Sequence, residues 1–303
     1  MALYEEKELN NKYILEFEKY LIKEKKVSTN TLESYLRDVR QFNEFCLKAN
    51  IGDIGNASNT HAISFLIGLQ KKGRATSTIT RNLVALRIFF HYLYDCGLIE
   101  SNPVINLKAP KVEKKFPKTL TIKEIEILLA TPDLNTNKGL RDRAILELLY
   151  STGLKVSELI SLEINNINFQ EESLYYYSND EERSIPIGDI AISYLKKYLS
   201  YSREKILNDK KCNILFVNMQ GSPLTRQGVW KIIKSYTKEA KIKKDITPHM
   251  IRHSFALHLL QNGADLHIVK ELLGHLDISS TQIYIRDIDQ NIKETYKEFH
   301  PRA

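Results

Sequence analysis

Apolar positions recur at helical spacing through most of the first hundred residues. Over residues 13–22 they fall at Ile14, Leu15, Phe17, Tyr20 and Leu21, and a second run follows at Leu32, Tyr35, Leu36, Val39, Phe42 and Phe45. A three-to-four-residue recurrence predicts amphipathic helices. Ser28, Thr29 or Asn30 can cap the second, because a short side-chain oxygen accepts a backbone N–H that the first turn leaves unpaired. Asn59 or Thr60 opens a third helix with Ile63, Phe65 and Leu66. Thr76 or Ser77 starts a fourth, carrying Ile79, Leu83, Leu86, Phe89, Phe90 and Leu93 and ending at Gly97.

The pattern then stops. Asn102-Pro103, Ala109-Pro110 and a lysine run over 111–118 with Pro117 combine chain breakers with charge and carry no apolar period. This stretch predicts an interdomain linker at 108–118, between a helical domain over 1–107 and a second domain over 119–303. The second domain is mixed. Thr121 can cap a helix through Leu129, residues 139–151 are strongly apolar and helical, Gly153 breaks the chain, and 156–162 is helical again. Residues 174–177 and 183–187 are β-rich and flank the polar run Ser178-Asn179-Asp180-Glu181-Glu182, which predicts a hairpin with a five-residue turn. Residues 190–199, 228–240 and most of 247–299 read as helices. The fold class expected is mainly α with a small β-sheet, in two domains, without internal repeats.

Composition narrows the class. The chain has 303 residues, 43% hydrophobic and 27% charged, which is globular. No uncharged apolar run is long enough to span a bilayer. The acidic first eight residues lack the basic flank of a signal peptide, so a soluble cytoplasmic protein is expected. Cys46, Cys96 and Cys212 have no metal-ligand spacing and fit a reducing compartment. The net charge of +7 suits a polyanionic partner, since neutralising phosphates releases counterions. It equally suits a lysine-rich solvated surface, so charge needs a site to support it.

Residues 247–260 supply one. Thr247 is a good N-cap and Pro248 fits the first helical position. His249 and Arg252, three apart, then share a face of the first turn. A helix N-terminus favours an anion, and an imidazole beside a guanidinium fork suits a phosphate oxygen. Asp265 caps a helix over 266–273, Gly274 ends it, and His275 follows. Ser279 with Gln282 forms a capping-box pattern for a helix that contains Tyr284.

His249-x-x-Arg252, Leu272-Leu273-Gly274-His275 and Tyr284 resemble the second signature box of tyrosine recombinases, the phage-integrase family, and most of all its XerC/XerD branch. Arg141-Asp142-Arg143 followed by Ser151-Thr152-Gly153-Leu154-Lys155-Val156-Ser157-Glu158-Leu159 resembles the first box. Ser28 to Tyr35 is similar to the core-binding domain, and His300-Pro301-Arg302-Ala303 to the XerD-type ending. The resemblance spans nearly the whole chain, in order.

It implies a SAM-like helical core-binding domain and a catalytic domain that clamp duplex DNA with paired half-sites. It implies site-specific strand cleavage through a 3′-phosphotyrosyl bond, without a cofactor. It also implies a homo- or hetero-tetramer on two duplexes, with the tail over 296–303 docking on a neighbour. By position, Tyr284 matches the nucleophile, Arg252 the second phosphate-clamping arginine and His249 the histidine that assists proton transfer. His275 matches the histidine that hydrogen-bonds the phosphate, and Glu158 an acidic residue that supports the site. Arg74, Arg81 and Arg87 around the fourth helix read either as phosphate contacts or as a solvated face.

Two positions depart from the family pattern. The first-box arginine is Lys155, which keeps charge and loses the bidentate fork. The hairpin lysine that protonates the leaving 5′-oxygen is replaced by Ser178, and no lysine occurs from Val156 to Leu195. Arg183 is the basic residue near the turn, and a guanidinium is a poor acid. Two readings stand: a working recombinase with an altered site, or a degenerate paralogue that binds DNA or a sister recombinase. His249 and His253, four apart, lack a third ligand with supporting spacing, so no metal is expected. No phosphate-cradling glycine loop or dinucleotide fingerprint occurs, and no histidine near an N-terminal loop suggests a phosphatase.

Overall fold

The computed structural model describes the backbone of residues 2–110, 118–178 and 181–274. The chain divides into two compact units, Met1–Lys114 and Lys115–Ala303.

The first unit contains α1 (Ala2–Lys23), α2 (Thr29–Lys48), a 3-10 turn (Ile54–Asn56), α3 (Asn59–Lys71) and α4 (Thr76–Asp95). Its core is aromatic. Phe17, Phe42, Phe89 and Phe90 are fully buried, with edge-on rings 5.1 Å apart for Phe17–Phe89 and 5.8 Å for Phe42–Phe90. Ser28 caps α2 through the Thr31 N–H. The α3 cap is Ser58, one residue ahead of Asn59 and two ahead of Thr60, and Ala75 precedes α4 without a side-chain cap. Asn10, fully buried, donates to the Gly52 carbonyl and accepts from the Ile54 N–H, both at 2.9 Å, and so locks α1 to the 3-10 turn.

The second unit begins with α5 (Ile122–Ala130), capped by Thr121, then α6 (Asn137–Thr152) and α7 (Val156–Ser161). An antiparallel sheet follows, ordered β1 (Ile167–Asn168), β2 (Ser173–Ser178), β3 (Glu181–Pro186). Next are α8 (Asp189–Tyr198), a π-helical turn (Leu199–Arg203), α9 (Glu204–Leu207), α10 (Arg226–Glu239), α11 (Pro248–Gln261) and α12 (Leu266–Leu273). The mainly helical fold with a small sheet is as the sequence predicts.

Two details of the sheet differ. The ladder continues through the pair Ser178↔Glu181, so the strands reach further into the polar run than the expected five-residue turn. The end of the ladder is set by backbone pairing, so residue polarity alone does not mark where the turn begins. The sequence also gives no sign of β1, whose two residues are too few to show an alternation.

Helix α6 is buried on several sides, and its buried set mixes apolar residues such as Ala144, Ile145, Leu146, Leu148 and Leu149 with charged ones. Its buried polar residues are paired. Arg141 holds Asp142 at 2.6 Å and the Val217 carbonyl at 3.2 Å, and Tyr236 of α10 donates to Asp142 at 3.0 Å. Arg141 of the first box is therefore a packing residue. Helix α11 is fastened along its inner face. Ser254 Oγ accepts the Leu120 N–H at 2.8 Å, and His258 Nδ1 lies 2.8 Å from the Tyr150 hydroxyl. Burial holds the His258 pKa below the ordinary imidazole value, with a hydrogen bond to the Leu120 backbone working the other way.

Among the described residues no helix is long and apolar enough to cross a membrane.

Candidate active site

The turn after α6, the start of α7, the start of α10 and the start of α11 meet around a cavity of about 390 Å³. Its lining includes Lys155, Ser157, Arg226, Trp230, His249 and Arg252. Three of the six catalytic candidates, Lys155, His249 and Arg252, thus share one cavity, and Glu158 stands directly behind it.

Local chain geometry sets these positions. Gly153 ends α6 with φ +62°, and a Cβ there would lie 2.4 Å from the Phe255 ring. Only glycine meets both demands. The turn it makes delivers Lys155 to the N-cap of α7, where Glu158 accepts the Lys155 N–H at 2.8 Å. Thr247 caps α11 through the Met250 N–H, with Pro248 in its first turn. His249 is exposed at the cavity mouth, whereas Arg252 is 4% exposed. The Arg252 guanidinium donates to the Gly153 carbonyl at 2.5 Å and the Leu273 carbonyl at 2.7 Å. It therefore ties the break after α6 to the end of α12, immediately ahead of His275. The Gly153→Ala variant is expected to lose about 2–4 kcal/mol of stability, from a left-handed backbone and a methyl forced into Phe255. A urea unfolding midpoint equal to wild type would show that Phe255 gives way freely.

The hairpin reaches the same place. Arg183 on β3 donates to Glu158 Oε2 at 3.2 Å and lies over the Tyr176 ring, its partner across the ladder. Arg252 Nη1 is 4.0 Å from the same carboxylate oxygen. Ser178 sits at the end of β2, opposite Glu181. His275 and Tyr284 lie outside the described residues, as does the tail over 296–303.

Sequence reading passed over Arg226 and Trp230. It began α10 at Gly228, whereas the helix starts at Arg226 behind the cap Thr225. That threonine was the available signal. It places Arg226 in the first turn and the single tryptophan of the chain four residues on, one turn later on the same face. Among the described residues no three His, Cys, Asp or Glu side chains come together as a metal site.

In the first unit, Arg74 and Arg81 line a groove of about 770 Å³ together with Arg37 and Arg40. Asp38, buried beneath them, pairs with Arg81 at 3.1 Å. Burial raises the Asp38 pKa, and Arg81 and Arg37 oppose that rise. Arg87 does not join the groove. It donates to the Leu107 carbonyl and fastens the segment after α4 back onto that helix.

A model of the phage integrase family matches residues 118–291, and one of the phage integrase N-terminal SAM-like domain matches residues 14–97. The chain is 42% identical over 296 residues to the tyrosine recombinase XerD of Listeria monocytogenes serotype 4b, covering 97% of this chain and 100% of that one. It is 41% identical over 291 residues to the XerD of Staphylococcus haemolyticus, covering 96% and 99%. Among solved structures it is similar to the XerA recombinase, at 26% identity and TM-score 0.54 over 97% of this chain and 99% of that one. It is also similar in fold to the XerH site-specific recombinase bound to palindromic difH substrate in a post-cleavage complex. That likeness has 24% identity and TM-score 0.73 over 87% of this chain and 78% of that one.

Proposed function

The chain belongs to the phage integrase family and is a tyrosine-type recombinase, and from that premise we propose that it cuts and rejoins duplex DNA at paired half-sites through Tyr284. In this reaction the Tyr284 hydroxyl attacks the scissile phosphorus, the new O–P bond replaces the bond to the 5′-oxygen, and that oxygen leaves as a hydroxyl. A second 5′-hydroxyl then attacks the phosphotyrosine and releases Tyr284. One phosphodiester is exchanged for another, so ATP is not consumed.

The convergence of Lys155, His249 and Arg252 on one cavity is the observation that carries this reading. A phenol with a pKa of about 10 is a weak nucleophile at neutral pH, and cations around the phosphorane lower the barrier. Arg252 and Lys155 supply that charge, His249 at the mouth handles the Tyr284 proton, and His275 hydrogen-bonds the phosphate. Arg74 and Arg81, with Arg37 and Arg40, fit a DNA backbone contact from the first unit. Arg87 has a structural bond instead. Assembly as a tetramer on two duplexes, alone or with a second recombinase, belongs to the same proposal.

A second reading rests on Ser178. No lysine on the hairpin can protonate the leaving oxygen, and Lys155 lacks the fork, so the chain would act as a DNA-binding partner of another recombinase.

Covalent trapping decides between them. The protein is incubated with a nicked suicide duplex carrying a site selected from random sequence, denatured, and resolved on a gel. The recombinase reading expects a DNA-linked band that disappears in Tyr284→Phe. Tight binding without such a band would overturn it and leave the partner role.

A further inference from the structure

The structure assigns to Asp38 the role of a charge limiter in the arginine groove of the first unit: it takes Arg81 for itself and leaves Arg37, Arg40 and Arg74 to carry the phosphate contact. This rests on the DNA-contact reading of that groove proposed above, and narrows it. The Asp38 side chain is 2% exposed, and its Oδ1 holds Arg81 Nη2 at 3.1 Å. Its other oxygen, Oδ2, is buried and has no hydrogen-bond partner among the described residues. Arg81 is thus the cation that matches this carboxylate, and a buried charge needs one. Drawing Arg81 off to a DNA phosphate would leave Asp38 buried and unpaired, which is the costly way to break such a pair. A second bond fixes the guanidinium: Nη1 donates to the Ser34 carbonyl at 3.4 Å, one turn before Asp38 on α2. Arg81 therefore braces α4 against α2 with its charge cancelled.

The other three arginines of the groove are differently placed. All three are exposed. The Arg40 and Arg74 guanidinium groups have no hydrogen bond or ion pair among the described residues. Arg37 donates to the uncharged Ser34 hydroxyl at 3.3 Å. Burial raises the Asp38 pKa, and Arg81 opposes that rise more than Arg37 does, in keeping with the direct pair. Glu44, exposed on the groove wall, makes no ion pair among the described residues, so water and salt screen it.

Salt dependence counts the cations that meet phosphate, because each one released from the counter-ion atmosphere adds about 0.9 to the slope of log K against log salt. The full chain is titrated with a fluorescein-labelled duplex of arbitrary sequence, by anisotropy, over a salt series. Asp38→Asn frees Arg81, and is expected to steepen the slope by about 0.9 and to bind about 5- to 10-fold tighter at about 0.1 M salt. Asp38→Asn with Arg81→Gln removes a cancelled pair, and is expected to keep the wild-type slope. Arg40→Gln with Arg74→Gln is expected to flatten it by about 1.8. An Asp38→Asn slope no steeper than wild type would overturn the limiter role. So would a double variant at Asp38 and Arg81 flatter by about 0.9, since Arg81 would then meet phosphate itself. An unchanged slope in Arg40→Gln with Arg74→Gln would instead overturn the DNA-contact reading of the groove, and this inference with it. Should Asp38→Asn fail to fold, the double variant at Asp38 and Arg81 decides alone: a wild-type slope supports the role and a flatter one sinks it.

Discussion

Replacing Lys155 by arginine and Ser178 by lysine together is expected to speed formation of the covalent DNA complex about 100- to 10,000-fold, the range that a positioned general acid contributes. The scaffold at both positions is set to receive them. The Lys155 backbone is held by Glu158 at 2.8 Å, and its side chain already lines the cavity. An arginine on the same stem adds a second parallel N–H toward a phosphate oxygen. Ser178 closes a regular ladder, two residues beyond the Tyr176↔Arg183 pair, and Arg183 anchors that hairpin to Glu158. Ser178→Lys is expected to carry most of the gain, because an ammonium gives up a proton far more readily than a guanidinium. Lys155→Arg alone is expected to contribute about 10-fold. Single-turnover cleavage of the suicide duplex measures both, with affinity determined separately so that the gain is located in the rate. A double variant no faster than wild type would show that another group already protonates the leaving oxygen.

How much of this could be read beforehand depends on the range over which each feature is encoded. The start of α11 is a local matter of Thr247, Pro248 and the three-residue spacing of His249 and Arg252, and all of it is legible. What separates those two residues is not. His249 is open to solvent and Arg252 is sealed against two carbonyls, and the choice is made by α6 and α12, distant in sequence. Arg183 shows the same limit. Read alone it is a poor acid near a turn, and its partner Glu158 lies 25 residues earlier on another element. The hairpin is legible from its β-rich flanks, while Glu181 and Glu182 read as turn because acidic residues are depleted in strands. The three arginines of α4 and its approach were read as a set. The groove takes Arg74 and Arg81, and the Leu107 carbonyl takes Arg87, a division that depends on how the segment after α4 folds back. Tyr284 and His275 are known by motif and spacing alone.

Removing Arg252 is expected to damage stability and chemistry together, and the order of its variants separates the two. Arg252→Ala leaves the buried carbonyls of Gly153 and Leu273 without this donor and strips Glu158 of a neighbouring cation, a change expected to cost about 3–5 kcal/mol. Arg252→Lys keeps one charge, but a single ammonium cannot reproduce two planar contacts at 2.5 and 2.7 Å, so one carbonyl loses its partner at a cost of about 1–3 kcal/mol. Both variants are expected to cleave DNA about 100- to 1,000-fold more slowly, since a transition-state oxyanion loses an oriented donor. Denaturation midpoints and single-turnover rates on the same preparations test this. Loss of stability with cleavage intact would make Arg252 a brace and remove it from the phosphate site. Loss of cleavage in Arg252→Lys at nearly wild-type stability would show that fork geometry, and not charge alone, is what the site requires. That result would bear directly on Lys155, because a site that rejects lysine at one clamp has already accepted it at the other.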